Sequence, residues 1–348
     1  MTDSKISLAN GSDTNGIDHT NRYQRQELVG QIGLASREKL GSAHVLIVGA
    51  GGLGSPVSLF LAGAGVGEIT LVDHDTVSLS NLHRQILFQE ADINKPKVDA
   101  AKHRLKALNS EIKINAINAK MSIENVFELT QSVDAVVDAA DSFLVSYLLS
   151  DACFNRRIPL VSASVIGTHG YLGVFCGTKD NPAPSLRSVF PAPSSEAQSC
   201  ATAGVTGPSV GVIGSYQAQE TIKVLLGDPT QLLGKLMNLD LWSYQQTIID
   251  FNSAPEPSSQ AKIIKKADLI ESDIILDVRN TEEVSESPVT DILNSIEIEN
   301  IPLSELVTKH ESLPKSSRLV CVCRSGQRAL FAANWLLQNG FSNVAVTA

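Results

Sequence analysis

Six residues, Gly49-Ala50-Gly51-Gly52-Leu53-Gly54, narrow the folds open to this chain more than any other feature. They follow an apolar, strand-like run at 44–49 and open a stretch at 55–64 that reads as a helix. Glycines in a strand-to-helix turn permit a tight bend and let backbone N–H groups approach phosphate at a helix N-terminus. Asp73 ends the next strand-like run, 68–73, and lies 19 residues beyond Gly54, where an acid can hold ribose hydroxyls. Together they predict a nucleotide-binding βαβ unit. A glycine-rich turn without a ligand is the plainer alternative.

The alternation continues down the chain. Helical patterns near 97–108, 123–130 and 143–155 are interleaved with strand-like runs at 112–117, 133–139, 160–164 and 171–176. A helix at 210–226 and strands at 235–241 and 245–251 follow, and a helix over 23–41, closed by Gly41, precedes the first strand. Strands separated by helices imply right-handed crossovers and a parallel sheet. Residues 252–260, NSAPEPSSQ, have linker composition. Beyond them come a strand at 274–278, a helix at 303–310, a strand at 319–323, a helix at 327–338 and a strand at 343–346. The expectation is an α/β chain. It has a disordered leader over 1–20, a Rossmann-like, mostly parallel sheet over 21–252, a linker over 253–260 and a small α/β unit over 261–348.

Composition excludes several functions. Hydrophobic residues make up 43% and charged residues 19% of 348, which argues for a packed core and against disorder. The net charge of −9, without a basic block, argues against nucleic acid and anionic membranes as partners. Apolar stretches fall short of the roughly 20 residues a membrane helix takes. Five cysteines without repeated spacing are not a disulfide framework and point to a reducing, cytoplasmic setting.

The residues after Asp73 are less generic. Arg84 and Lys97 suit a triphosphate, since cations stabilise charge building on the α-phosphate or the leaving pyrophosphate. A solvated charged loop is the plainer reading. Asp141 follows the fourth strand, at the sheet edge where ligands bind. It can hold Mg²⁺ on the phosphates or serve as a helix N-cap.

Arg22-Tyr-x-Arg25-Gln, the glycine loop, Asp73-x-Asp75-x-Val-x-x-Ser80-Asn81-Leu-x-Arg84-Gln85, Lys97 and Asp141 resemble the ThiF/MoeB family of adenylyltransferases, bacterial relatives of ubiquitin-activating enzymes. The resemblance covers residues 22–251. It implies a fold of the ubiquitin-activating type and a site where ATP meets the C-terminal Gly-Gly of a ubiquitin-like sulfur-carrier protein. It places Gly49, Gly51, Gly52 and Gly54 around the phosphates, Asp73 at the ribose, and Asp75 and Ser80 within the nucleotide site. Asn81, Arg84 and Lys97 contact phosphates, and Asp141 handles Mg²⁺. Arg25 reaches in from a partner subunit, which implies a homodimer. Ser142 stands where the family usually has Asn and can still hydrogen-bond.

Cys200 lies in Ser199-Cys200-Ala-Thr-Ala-Gly204, the segment in which the family carries its carrier-attacking or sulfur-relaying cysteine. By position alone a small buried thiol is the plainer reading. Relatives commonly bind structural zinc through two Cys-x-x-Cys pairs. Here Ser185 and Ser188 occupy the first pair, and no cysteine falls in 254–259. Serine is a poor ligand for zinc, so no zinc site is expected.

After the linker, Asp277-Val-Arg279 and Cys323-Arg324-Ser325-Gly326-Gln327-Arg328 resemble the rhodanese sulfurtransferase domain. A cysteine at a strand-to-helix junction points its sulfur into backbone N–H groups, which suits a persulfide. Four residues separate Cys323 from Arg328, one fewer than in related phosphatase loops, which favours sulfur over phosphate. Cys321 is expected in the core, and the domain is expected to be C-terminally short. The whole chain reads as an adenylyltransferase with a persulfide on Cys323, supplied by a cysteine desulfurase or another sulfur donor, in molybdenum-cofactor synthesis. Thiamine thiazole synthesis is the alternative pathway. A NAD-dependent oxidoreductase explains the glycine loop but leaves Arg84, Lys97 and Asp141 idle, and a non-catalytic carrier-binding scaffold is the third reading.

Overall fold

A computed structural model describes residues 22–191, 204–287 and 296–347. The expected leader at 1–20 and Cys200 lie outside the described residues. Eight strands form the larger sheet: β1 (His44–Val48), β2 (Glu68–Val72), β3 (Lys113–Ile117), β4 (Ala135–Asp138), β5 (Leu160–Ile166), β6 (His169–Phe175), β7 (Lys235–Asp240) and β8 (Gln245–Asp250). Their order is β3-β2-β1-β4-β5-β6-β7-β8. β3 through β5 pair in parallel and the rest antiparallel. Connection length accounts for much of this. Only Gly167 and Thr168 separate β5 from β6, and so short a link can join only antiparallel neighbours.

β1 is buried on both faces, as a central parallel strand must be. Val45 and Ile47 pack with Val57, Leu61, Ala218 and Ile222 of the Gly54–Ala64 and Gly207–Leu226 helices. Leu46 and Val48 turn the other way, toward Leu144 and Leu148 of the Phe143–Arg156 helix.

Five parallel strands form the second sheet: β9 (Lys262–Ile263), β10 (Ile274–Asp277), β11 (Glu297–Asn300), β12 (Leu319–Val322) and β13 (Val344–Val346), in the order β11-β10-β12-β13-β9. The Gln327–Gln338 helix covers β12 and β13 and also packs on the Phe143–Arg156 helix. Leu330, Ala333 and Leu336 thereby join Tyr147, Leu149 and Phe175 in one continuous apolar layer between the sheets. Polar ties reinforce it. The Ala261 amide donates to Asn334 Oδ1, and Lys265 pairs with Glu124 at 3.6 Å.

The expected helix over 23–41 is two helices, Gln24–Glu27 and Gly33–Ser42. Gly33 breaks it with φ +61°, and Gly41 lies inside the second helix rather than beyond its end. The patterns at 123–130 and 303–310 contract to Val126–Leu129 and Leu306–Lys309. Among the described residues, no helix is long and apolar enough to cross a membrane.

One buried cation anchors the underside of the larger sheet. Arg187 is 1% exposed, and its Nε and Nη2 donate to the two oxygens of Asp151 at 2.7 and 2.8 Å. Its guanidinium stacks 4.3 Å from the Tyr147 ring centre. Removing one member of a buried pair strands the other charge. Asp151→Ala, which leaves the enclosed Arg187 guanidinium without its carboxylate, is therefore expected to lower unfolding free energy by about 3 kcal/mol, read from the urea midpoint.

Candidate active site

Between β1 and β4 the sheet reverses its strand order, and the loops leaving β1, β2 and β4 splay around a crevice at the carboxyl ends of the strands. A cleft of about 750 Å³ opens there. Gly49, Gly51, Gly52, Asp73, Asp75, Asn81, Arg84, Lys97, Asp141 and Ser142 all line it. Gly54 is buried behind the loop. Ser80 does not line the cleft; its hydroxyl lies 3.0 Å from Ser78 Oγ and its carbonyl accepts from Arg84 Nη1 at 3.1 Å. Arg25 is exposed on the Gln24–Glu27 helix, away from the cleft of its own chain.

Two glycines are dictated by contact. Gly49 adopts φ +98°, and a Cβ there would lie 2.5 Å from the Ala139 carbonyl oxygen. A Cβ on Gly54 would meet the Gly49 carbonyl oxygen at 1.9 Å. Backbone cannot yield as a side chain can, so both positions require glycine. Asp73 braces this turn: its Oδ2 accepts from the Ala50 amide at 2.7 Å and its Oδ1 from the Asp75 amide at 2.8 Å. A carboxylate offers about four lone-pair sites, so capacity remains for ribose hydroxyls.

Lys97 opens the Lys97–Leu108 helix, is buried, and its Nζ donates to Asp75 Oδ2 at 2.9 Å. Burial pushes the Asp75 carboxyl up, but the Lys97 ammonium outweighs it and holds the group below the ordinary carboxylate value. Arg84 rests on the Ser80 carbonyl and, at 2.8 Å, on His83 Nε2. The N-cap of the Phe143–Arg156 helix is Ser142, whose side chain makes no capping bond. Asp141 is therefore not the cap. It is exposed and makes no hydrogen bond or ion pair among the described residues, as a carboxylate available to a cation should.

Two residues on or under this wall carry no assigned role in the sequence reading. Gln85 is 3% exposed, lines the cleft beside Gly51, and its Oε1 has no hydrogen-bond partner among the described residues. Such an orphan acceptor is costly unless a ligand satisfies it. Its place beside Arg84 in the motif was the available signal. Asp138 ends β4 wholly buried, accepting from Ser162 Oγ at 2.8 Å and the Ala140 amide at 3.2 Å. Burial, assisted by the charge of Asp141, raises its carboxyl from 3.8 to about 6 against these hydrogen bonds. Only the fold reveals that enclosure.

The second loop with a chemical signature follows β12. Cys323 is buried, and its Sγ accepts from the Ala329 amide at 3.3 Å. Gly326, at φ +79°, turns the chain into the Gln327–Gln338 helix. Arg328 is clamped by Glu283 at 2.6 and 2.8 Å and also faces the Cys323 sulfur. Arg279 forks onto Asp277 behind the loop, with Nη2 to Oδ2 at 2.6 Å. Cys321 is enclosed in the core, and burial, with a smaller contribution from Cys323, pushes its thiol far up. Burial does the same to Cys153 and Cys176.

Of the two serines at the expected first Cys-x-x-Cys position, Ser185 has a different task. The Ser185 amide and hydroxyl donate to Glu256 Oε1 and Oε2 at 2.7 and 2.6 Å. A carboxylate clasp thus joins the 184–188 segment to the 252–260 stretch.

With this geometry in hand, the ThiF family model matches residues 23–261. The chain belongs to the ThiF family. Residues 257–348 match the rhodanese-like domain. The "Adenylyltransferase and sulfurtransferase MOCS3" of Culex quinquefasciatus is 43% identical over 63% of this chain and 50% of its own length. The chain thus spans about half the length of that relative. The "Adenylyltransferase and sulfurtransferase MOCS3-1" of Zea mays is 32% identical over 92% of this chain and 78% of its own. The "Molybdopterin-synthase adenylyltransferase" of Haemophilus influenzae is 40% identical over 64% of this chain and 90% of its own. Among solved structures, E. coli MccB with ATP aligns with a TM-score of 0.59 at 24% identity, covering 69% of this chain and 74% of that one. At that identity the likeness shows the fold alone.

The raised Asp138 carboxyl carries a linkage with a definite sign. A group whose folded value lies above its unfolded one stabilises the fold fully below 3.8, and that contribution is lost as pH rises toward about 6. Asp138→Asn is expected to remove this component, so its urea-midpoint profile between pH 4 and 6 should fall less with rising pH than that of the unsubstituted chain.

Proposed function

We propose that this ThiF-family protein adenylates the C-terminal glycine of a ubiquitin-like sulfur-carrier protein, using ATP and Mg²⁺, and then hands the activated carboxyl a sulfur from Cys323. The observation that carries the reading is the convergence of the glycine loop, Asp73, Arg84, Lys97 and Asp141 on one cleft. Its volume of about 750 Å³ accommodates a nucleotide, and the Gln85 oxygen and Asp141 carboxylate, without partners among the described residues, offer contacts to be satisfied on binding.

In the proposed reaction a carboxylate oxygen of the carrier bonds to the α-phosphorus as the bond to the bridging oxygen breaks, releasing pyrophosphate. Loop amides hold the phosphates, Arg84 and Lys97 oppose the charge that accumulates, and Asp73 orients the ribose. Asp141 is the residue that would hold Mg²⁺, which when bound neutralises charge on the phosphates. Arg25, remote from its own cleft, is assigned to that of a partner subunit in a homodimer. The outer sulfur of a Cys323 persulfide, loaded by a cysteine desulfurase or another donor, bonds to the activated carbonyl as AMP leaves. A second thiol, for which Cys200 is the candidate, bonds to the Cys323 sulfur and breaks the S–S bond of the acyl disulfide, so that a thiocarboxylate leaves and a Cys200–Cys323 disulfide remains for a thiol reductant to reopen. The Haemophilus influenzae relative's name favours a molybdopterin-synthase carrier.

Exchange of labelled pyrophosphate into ATP, dependent on added carrier, tests the proposal. Molybdopterin-type and thiamine-type carriers form its two arms, and absence of exchange with both defeats it. Asp141→Asn should lower the exchange rate about 100-fold or more, as loss of a group aimed at transition-state charge commonly does. Cys323→Ala should abolish sulfur transfer from thiosulfate to cyanide while carrier-dependent exchange persists.

A further inference from the structure

The nucleotide cleft is not walled by the ThiF unit alone. Packing of the Gln327–Gln338 helix on the Phe143–Arg156 helix brings the loop after β12 to the cleft that Asp141 and Ser142 also line. Arg324, Ser325, Gln327 and Arg328 consequently line the same cleft as Gly49, Arg84 and Lys97. The two arginines differ in their commitments. Arg328 is held at both nitrogens by Glu283. Arg324 is exposed and makes no hydrogen bond or ion pair among the described residues. Cys323, one residue earlier, turns its sulfur inward to the Ala329 amide and does not line the cleft.

We propose that Arg324 of the rhodanese-like loop is a phosphate ligand of the nucleotide site in its own chain. This rests on the adenylation reading above and extends it, because it makes the sulfur-handling unit part of the ATP-binding wall. A guanidinium is always charged and presents a planar fork that matches two phosphate oxygens. Lys97 shares its charge between the cleft and Asp75, and Arg84 lies on a carbonyl and an imidazole. Arg324 brings to the cleft a positive charge with no such partner among the described residues. An arginine that served only an anionic sulfur donor at Cys323 would leave nucleotide affinity untouched, and this difference is measurable.

The test is calorimetric binding of an ATP analogue with a methylene bridge between its α- and β-phosphates, and separately of adenosine, to the full chain. Arg324→Ala should weaken the analogue about tenfold, the scale of one charged hydrogen-bonding contact. Arg324→Glu should weaken it further and Arg324→Lys less. Adenosine should bind all four proteins equally. Analogue binding by Arg324→Ala within twofold of the unsubstituted chain overturns the proposal, as does parallel loss of adenosine, which would mark a structural role. The adenylation reading fails separately, if the unsubstituted chain binds no analogue and supports no pyrophosphate exchange.

Discussion

The Asp73 carboxylate is the joint on which the cleft depends. One oxygen takes the Ala50 amide and the other the Asp75 amide, so a single side chain locks the turn after β1 to the turn after β2. Through Asp75 the constraint passes to Lys97, whose amide and ammonium bond the Asp75 carbonyl and carboxylate at 2.9 Å each. Two strand-to-helix connections, from β1 to the Gly54–Ala64 helix and from β2 to the Lys97–Leu108 helix, therefore share one set of bonds. Each tie is made by an acceptor that water would otherwise satisfy, so the arrangement holds because the sheet edge fixes both partners before they meet.

Much of this was legible in the chain because period and punctuation agreed. The Lys97–Leu108 and Gln327–Gln338 helices fall on the residues their apolar spacing marks, since both bury one face against a sheet. Short pieces were harder. β9 has two residues, β11 reads Glu297-Ile-Glu-Asn, and the Thr281–Glu286 helix rests on a capping box between Asn280 and Glu283. None offers enough length for a period to emerge. The break at Gly33 was hidden for a different reason, because apolar spacing does not record a positive φ.

For the site, local motifs marked the residues that line the cleft but not what surrounds them. Asp138 belongs to the same five-residue stretch as Asp141, yet one is sealed under the sheet and the other faces the cleft. Strand alternation and the depth of β4 decide that, and both are properties of the assembled sheet. The position of Arg324 on the wall of the cleft depends on helices separated by 170 residues, which no local pattern encodes. Ser185 is a parallel case. The spacing identified what it replaces, and only the fold shows Glu256 taking up its hydroxyl.

The apolar layer between the two sheets has a consequence for transfer chemistry. Were the rhodanese-like unit a bead on a nine-residue tether, its encounters with the cleft would be governed by the reach of the chain. Leu330, Ala333 and Leu336, in one apolar cluster with Tyr147 and Leu149, replace that search with a fixed address. The local concentration of the Cys323 loop at the cleft is then set by side-chain packing, and lengthening the linker would change it little as long as the layer stays closed.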